Sequence, residues 1–259
     1  MSTERITNTV VLRETKKDKT KDMEIEEAHS GLLRVSGDIA ERILKKFRET
    51  LGNYSNDTML SSLYAEKERD LRNANPFIKV LLEHILQEEG LRLPRLRDLG
   101  IALKYFPREL SSFTIDIGFA LRSQEETYPP NKTLTQDLVD QVKVIQGKLA
   151  FPYLISLRGT RLQSYPGSKY NGLSFRLTEG TEIISAPILN HPGYFSPEEL
   201  DENTCLPRTI RKEKKRGDLE LIAGQSGLCR AYINVYGDID TQTKDLSVVD
   251  FSPVLAVKE

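Results

Sequence analysis

The sequence predicts an α+β fold, in which an N-terminal helical subdomain is followed by a mostly antiparallel β-sheet region with one long helix. From Ser36 to Phe106 the apolar residues recur at helical spacing, and from Ser112 they alternate with polar residues, as in strands. Few connections between the predicted strands are long enough to hold the crossover helix that parallel pairing requires. We therefore expect a charged N-terminal arm over 1–30, a helical subdomain over 31–108 and a β-rich domain over 109–259.

Four amphipathic helices are predicted between residues 36 and 107, each bounded by residues that begin or end a helix. Asn75 followed by Pro76 is a typical start, with Asn75 as the N-cap and Pro76 as the first helical residue. The second helix is predicted to begin after Asp57. The fourth is predicted to begin at Pro94 and to end at Pro107. Short links between such helices are typical of a helical subdomain.

The clearest strand pattern lies between residues 112 and 122, where every second residue is apolar. This alternation predicts that Asp116 lies on the face opposite the apolar side chains. Thr133 and Gln136 have the spacing of a capping box, which predicts the start of the one long helix, running to Leu149. The rest of the chain is predicted to be strand apart from a helical turn at Ser196, with alternating apolar residues at 153–158, 173–178 and 229–236 and a last strand over 246–257.

The charges almost cancel over the whole chain, since 37 Lys and Arg stand against 38 Asp and Glu, for a net charge of -1. This balance excludes a uniformly basic phosphate-binding protein and an acidic disordered one. No apolar run is long enough for a signal peptide or a membrane span. The two cysteines, Cys205 and Cys229, are too few for a disulfide framework. We therefore expect a cytoplasmic protein with reduced thiols and no membrane contact.

The near-zero total conceals three blocks of charge. Residues 141–178 hold six basic residues and no Asp or Glu, residues 179–207 hold six acidic residues and no Lys or Arg, and residues 208–216 hold six basic residues with one Glu. The acid-free block also contains aromatic residues between its basic ones. Basic side chains neutralise phosphates and Tyr rings stack on bases, so this composition favours a contact with nucleic acid.

The blocks predict a non-catalytic nucleic-acid-associated protein that is a subunit of a larger complex. Basic loops of the β-rich part would contact the phosphate backbone of DNA or RNA, and the helical part would bind protein partners or a further copy of the chain. For single residues the alternative is that Arg158 and Arg176 pair with the acidic block across strands. The predicted contacts are Arg158, Arg161, Tyr165, Lys169, Tyr170, Arg176, Lys212, Lys214, Lys215 and Arg216.

Two other classes of function are alternatives. In a structural subunit of a homomeric or virion-like assembly, the acidic block would meet residues 208–216 across a subunit interface. In a metal-dependent nuclease, carboxylates would converge at strand ends to bind Mg²⁺. The usual carboxylate-x-Lys pattern is missing, because Ile222 stands two positions after Glu220. No histidine or cysteine has metal-ligand spacing, and we predict no cofactor. The carboxylates considered for Mg²⁺ are Asp116, Asp218, Glu220, Asp238 and Asp240.

Overall fold

The computed structural model describes residues 32–51, 59–65, 70–110 and 114–259. In these residues, helices and a largely antiparallel sheet form an α+β fold, which confirms the predicted fold class. The predicted arm over 1–30 lies outside the described residues. The α-helices are α1 (Gly37–Leu51), α2 (Pro76–Glu88), α3 (Leu96–Tyr105), α4 (Pro107–Leu110) and α5 (Lys132–Gln146).

Many of the strands are short. In chain order they are β1 (Leu32–Arg34), β2 (Tyr64–Ala65), β3 (Leu71–Ala74), β4 (Leu91–Arg92), β5 (Ile115–Leu121), β6 (Tyr153–Ile155), β7 (Arg161–Ser164), β8 (Leu173–Arg176), β9 (Ile183–Ser185), β10 (Gly193–Phe195), β11 (Leu200–Asp201), β12 (Leu206–Pro207), β13 (Leu219–Ile222), β14 (Leu228–Ile233), β15 (Ile239–Asp240), β16 (Asp250–Pro253) and β17 (Leu255–Lys258). Single 3₁₀ turns lie at Pro129–Asn131, Pro187–Asn190 and Pro197–Glu199.

The main sheet has seven strands in the order β10-β13-β15-β14-β5-β6-β9. All neighbours in this sheet are antiparallel except β13 and β15. Two smaller sheets have the orders β1-β17-β4 and β16-β3-β2, and β7 and β8 form a hairpin. In both small sheets a strand from 250–258 pairs with strands of the predicted helical subdomain. The boundary at residue 108 stays a prediction, and the segments on its two sides share these two sheets.

Apolar side chains cover both faces of the main sheet. On one face Phe119 and Tyr153 pack in a core that also contains residues of α1, α2 and α5. On the other face Ile117 and Leu154 pack in a second core together with residues of α3. Successive residues of a strand point to opposite faces, so β5 and β6, with a core on each side, are buried along their whole length.

A β-bulge in β5 determines which residues face each core. The register with β14 shifts between Ala231 and Tyr232, which lie opposite Gly118 and Asp116. The extra residue, Ile117, reverses the direction of the side chains that follow, so Ile117 and Phe119 pack in different cores. The prediction of a single apolar face is therefore wrong, because Ile115 and Ile117 pack in one core and Phe119 and Leu121 in the other, while Asp116 is buried.

The helix boundaries show where local chemistry decides the structure. As predicted, Asn75 is the N-cap of α2, and its Oδ1 accepts a hydrogen bond from the backbone N–H of Ile78 at 2.9 Å. The helix predicted after Asp57 is wrong over 59–65, because a turn there leads into β2, which pairs with β3. Asp57 itself lies outside the described residues. The helix predicted from Pro94 is α3, and it begins at Leu96. Pro107, which was expected to end this helix, starts the short α4.

The long helix α5 begins at Lys132 without the predicted capping box. Thr133 Oγ1 donates to the carbonyl of Gly167 at 3.4 Å, and the side chain of Asn131, at the N-cap, makes no capping bond. A 3₁₀ turn already leads the chain into the helix at this point. The capping-box geometry occurs instead at Ser196 and Glu199, where the predicted helical turn is confirmed.

Candidate nucleic-acid interface

The basic segment after β6 begins with a turn at 156–160. We call it the double turn, because two threonine hydroxyls bind two of its backbone carbonyls. Thr160 Oγ1 donates to the carbonyl of Ser156 at 2.9 Å, and Thr178 Oγ1 donates to the carbonyl of Gly159 at 2.5 Å. Gly159 has φ +76°, and a Cβ there would stand 2.6 Å from the backbone nitrogen of Thr181. Only glycine fits this approach of two backbones. The turn therefore holds the start of the β7–β8 hairpin in a fixed position.

Arg161 and Arg176 face each other across this hairpin. They are direct Cα partners in the antiparallel register, and both are exposed. Neither guanidinium forms an ion pair with any residue that the structure describes. Ile145 of α5 and Glu179 line the same open cleft, which has a volume of about 790 Å³. Like charges at directly opposite positions of a strand pair repel each other and destabilise the pair. The two arginines therefore concentrate positive charge at one side of this cleft.

Arg158 belongs to the double turn itself, and its side chain lines a second cleft against α2. Its Nε is 3.8 Å from Glu83 Oε1, and its side chain is 19% exposed. Burial raises the pKa of Glu83, although the backbone N–H of Leu93 and the positive charge of Arg158 oppose this shift. Arg158 is thus partly neutralised by α2 and not by the acidic block. Arg161 lines both this cleft and the cleft beside Arg176, so it lies between the two.

The aromatic residues of the hairpin loop do not form a stacking surface. Tyr170 is 5% exposed, its ring lies 5.0 Å from that of Phe77, and its hydroxyl binds the side chain of Asn131. Burial also raises the pKa of the Tyr170 hydroxyl. The prediction that Tyr170 contacts nucleic acid is therefore wrong, because its side chain belongs to the core. Tyr165 is half-buried, and Lys169 is exposed at the loop.

The second basic segment, 208–216, is partly neutralised within the chain. Arg208 lies 3.3 Å from Asp201, and Arg211 lies 3.3 Å from Glu199 and 2.8 Å from Asp218. Two of these three carboxylates belong to the acidic block. The remaining basic residues are exposed and pair with no described carboxylate, while one of them, Lys214, lies over the Tyr194 ring at 5.5 Å. These exposed residues are Lys212, Lys214, Lys215 and Arg216.

The two basic segments lie at opposite edges of the main sheet. Arg211 and Tyr194 exchange backbone hydrogen bonds beside β10, which is one edge strand. The double turn at 156–160 continues the pairing of β6 with β9, the other edge strand, through a bond from Ser156 N–H to the carbonyl of Glu182. The segments therefore lie along different edges of the sheet, which the sequence did not predict.

The carboxylates considered for a nuclease do not converge. Asp218 binds Arg211, and Asp238 Oδ1 accepts the backbone N–H of Glu220 at 2.8 Å. Asp116 is buried beside Lys79. Among the described ranges of the chain, no three His, Cys, Asp or Glu side chains are placed to hold a metal ion.

Asp116 belongs instead to a buried quartet of charges, which we define as Lys79, Asp116, Arg230 and Asp250. Lys79 Nζ lies 2.6 Å from Asp116 and 2.8 Å from Asp250, and Arg230 Nη2 lies 2.8 Å and 2.6 Å from the same two carboxylates. The quartet is neutral overall. Sequence reasoning missed it because its members lie on α2, β5, β14 and β16. The one signal was that Asp116 and Arg230 both lie in predicted strands.

Comparisons with family models, with curated proteins and with solved structures find no match to this chain. Within the residues that the structure describes, no helix combines the length and the apolar composition of a membrane span.

Proposed function

We propose that this chain is a non-catalytic nucleic-acid-associated protein, a subunit of a larger complex, and that it contacts the phosphate backbone through Arg161 and Arg176. One observation supports this proposal above all others. The two arginines are exposed, face each other across a hairpin and have no ion-pair partner among the described residues. An external phosphate would remove their mutual repulsion and accept hydrogen bonds from both guanidinium groups.

Neighbouring residues would extend the contact along a backbone. Arg158 belongs to the double turn, Lys169 lies at the hairpin loop, and Tyr165 is half-buried there. A second contact at the other sheet edge would use the exposed basic residues of 208–216 that pair with no described carboxylate, which are Lys212, Lys214, Lys215 and Arg216. Phosphate contacts position a protein without reading sequence, so we expect little base specificity.

The structural-subunit alternative loses part of its support. It depended on the acidic block and residues 208–216 meeting across a subunit interface, but Arg208 with Asp201 and Arg211 with Glu199 already pair within one chain. We place the protein in the cytoplasm because Cys205 and Cys229 are both free and buried.

The double substitution Arg161→Gln with Arg176→Gln is expected to weaken nucleic-acid binding at least about tenfold at low salt. The slope of log affinity against log salt concentration should also become shallower by about 1 for each phosphate contact that is lost. Fluorescence polarisation with labelled single-stranded and double-stranded DNA and RNA, each at several salt concentrations, measures both quantities.

The matched control is Arg42→Gln with Arg208→Gln, which makes the same change in net charge at two exposed arginines that already pair with Glu89 and Asp201. This control should retain wild-type affinity. Two results would contradict the proposal: the absence of binding by wild type at low salt, or an equal loss in both double variants.

A further inference from the structure

Arg122, which directly follows β5, is a buried cation with only neutral side-chain partners. It is 9% exposed, its Nη1 donates to Thr241 Oγ1 at 3.4 Å, and its Nη2 donates to Asn190 Oδ1 at 3.2 Å. No carboxylate in the described part of the chain pairs with it. The other buried cations of that part, Lys79 and Arg230, both bind aspartates of the quartet.

Nearby acidic groups do not neutralise Arg122. The Cys229 thiol lies beside both Arg122 and Lys244, but burial raises the pKa of this thiol and keeps it protonated. Glu126 pairs with Lys244 at 2.9 Å and accepts the backbone N–H of Leu228 at 2.6 Å. Arg122, Lys244 and Glu126 together therefore carry one positive charge in excess.

This guanidinium lies close to the surface on the side of Asn190. Asn190 and His191 are exposed, and so is Gln225, whose carbonyl contacts Cys229 Sγ at 3.9 Å. The backbone N–H groups of Gln225 and Ser226 donate to no described acceptor. A ligand that approached beside Asn190 would therefore meet the Arg122 guanidinium.

We propose that Arg122 anchors a binding site for a small oxyanion, a carboxylate or phosphate group, which approaches beside Asn190. A guanidinium has five N–H donors, and the two described side-chain bonds leave others for a ligand. Its planar fork matches either oxyanion. An unpaired buried charge destabilises the fold, and a bound oxyanion would offset that destabilisation.

The site is separate from the proposed nucleic-acid contact. Leu121, the residue before Arg122, pairs with Tyr153 at the start of β6, whereas Arg158 follows the end of that strand. Arg122 and Arg158 therefore lie beyond opposite ends of β6.

Asn190→Asp is the sharpest test, because it puts a carboxylate 3.2 Å from Arg122 Nη2 at an exposed position. The chain then neutralises its own cation. Isothermal titration calorimetry with sodium phosphate and with sodium acetate, against sodium chloride at equal ionic strength, should show saturable binding of at least one probe by wild type. Asn190→Asp should weaken that binding at least about tenfold and raise the melting temperature in probe-free buffer.

Asn203→Asp is the matched control, since it adds the same charge at another exposed asparagine and should bind like wild type. Binding of phosphate alone supports a phosphate ligand, and binding of acetate alone supports a carboxylate ligand. No saturable heat with either probe, or equal affinity in the two Asp variants, overturns the proposal. Arg122→Gln should also abolish binding; if it binds the probe as tightly as wild type, the assignment to Arg122 falls.

Discussion

Arg230→Ala is expected to lower the free energy of unfolding by about 3–5 kcal/mol. The side chain of Arg230 is 3% exposed and contacts both aspartates of the quartet. Its removal leaves Asp116 and Asp250 with Lys79 as their one cation, so a buried negative charge becomes uncompensated. The lost guanidinium also leaves a cavity between β14 and its neighbours, which adds to the destabilisation.

Urea unfolding followed by circular dichroism at neutral pH measures this loss. Arg208→Ala is the matched control, because its side chain is 69% exposed and its ion pair with Asp201 lies in solvent. The control should stay within about 0.5 kcal/mol of wild type. If the two variants unfold at the same urea concentration, the quartet does not stabilise the fold.

The quartet also sets the direction of the pH dependence. Burial alone would raise the pKa of Asp116, but the charges of Arg230 and Lys79 outweigh it and hold this pKa below its usual range. Because the folded pKa is the lower one, the contribution of Asp116 is fully present above its unfolded value of about 3.9 and is lost as pH falls towards the folded value. Wild type should therefore lose stability below about pH 4 in the same unfolding assay.

Gly118→Ala should be almost as damaging, with a loss of about 3 kcal/mol or more. Gly118 has φ +150° at the bulge of β5, and a Cβ there would stand 2.8 Å from the carbonyl carbon of Ile155 and closer still to its oxygen. Both atoms belong to the backbone of β6, so no side-chain rotation relieves the overlap. β5 and β6 would have to separate in the middle of the sheet.

Gly147→Ala is the control for this substitution. Gly147 also has a positive φ, +72°, but a Cβ there meets nothing within 4 Å, so it should lose only about 1 kcal/mol. Chemical denaturation of the two variants separates the steric effect from the conformational one. A loss at Gly118 no larger than that at Gly147 would show that the two strands tolerate a side chain between them.

The features that the sequence predicts well depend on neighbouring residues. The N-cap bond that starts α2 joins Asn75 to Ile78, only three residues along the chain. The capping box at the 3₁₀ turn, between Ser196 and Glu199, has the same span. The spacing of apolar residues changes from helical to alternating near residue 112, which is likewise a local pattern. This change correctly predicts the α+β fold class.

The features that the sequence does not predict depend on partners far along the chain. The bulge at Gly118 needs the register with β14, and the burial of Tyr170 needs Phe77 of α2. Arg161 and Arg176 were both predicted as contacts, but that they face each other follows from the register of the hairpin. The role of Arg122 does not follow from the sequence, because only the fold shows that no carboxylate among the described residues pairs with it.

The position of β17 between β1 and β4 has a consequence for how the chain acquires its structure during synthesis. β1 and β4 leave the ribosome long before β17, yet they pair with β17 and not with each other. Lys79 likewise reaches the ribosome exit well before Asp116 and Asp250. The strands β1 and β4 must therefore wait, with unpaired edges, until 250–258 has been made, and Lys79 lacks its second carboxylate until then. This interval exposes the nascent chain to misassociation.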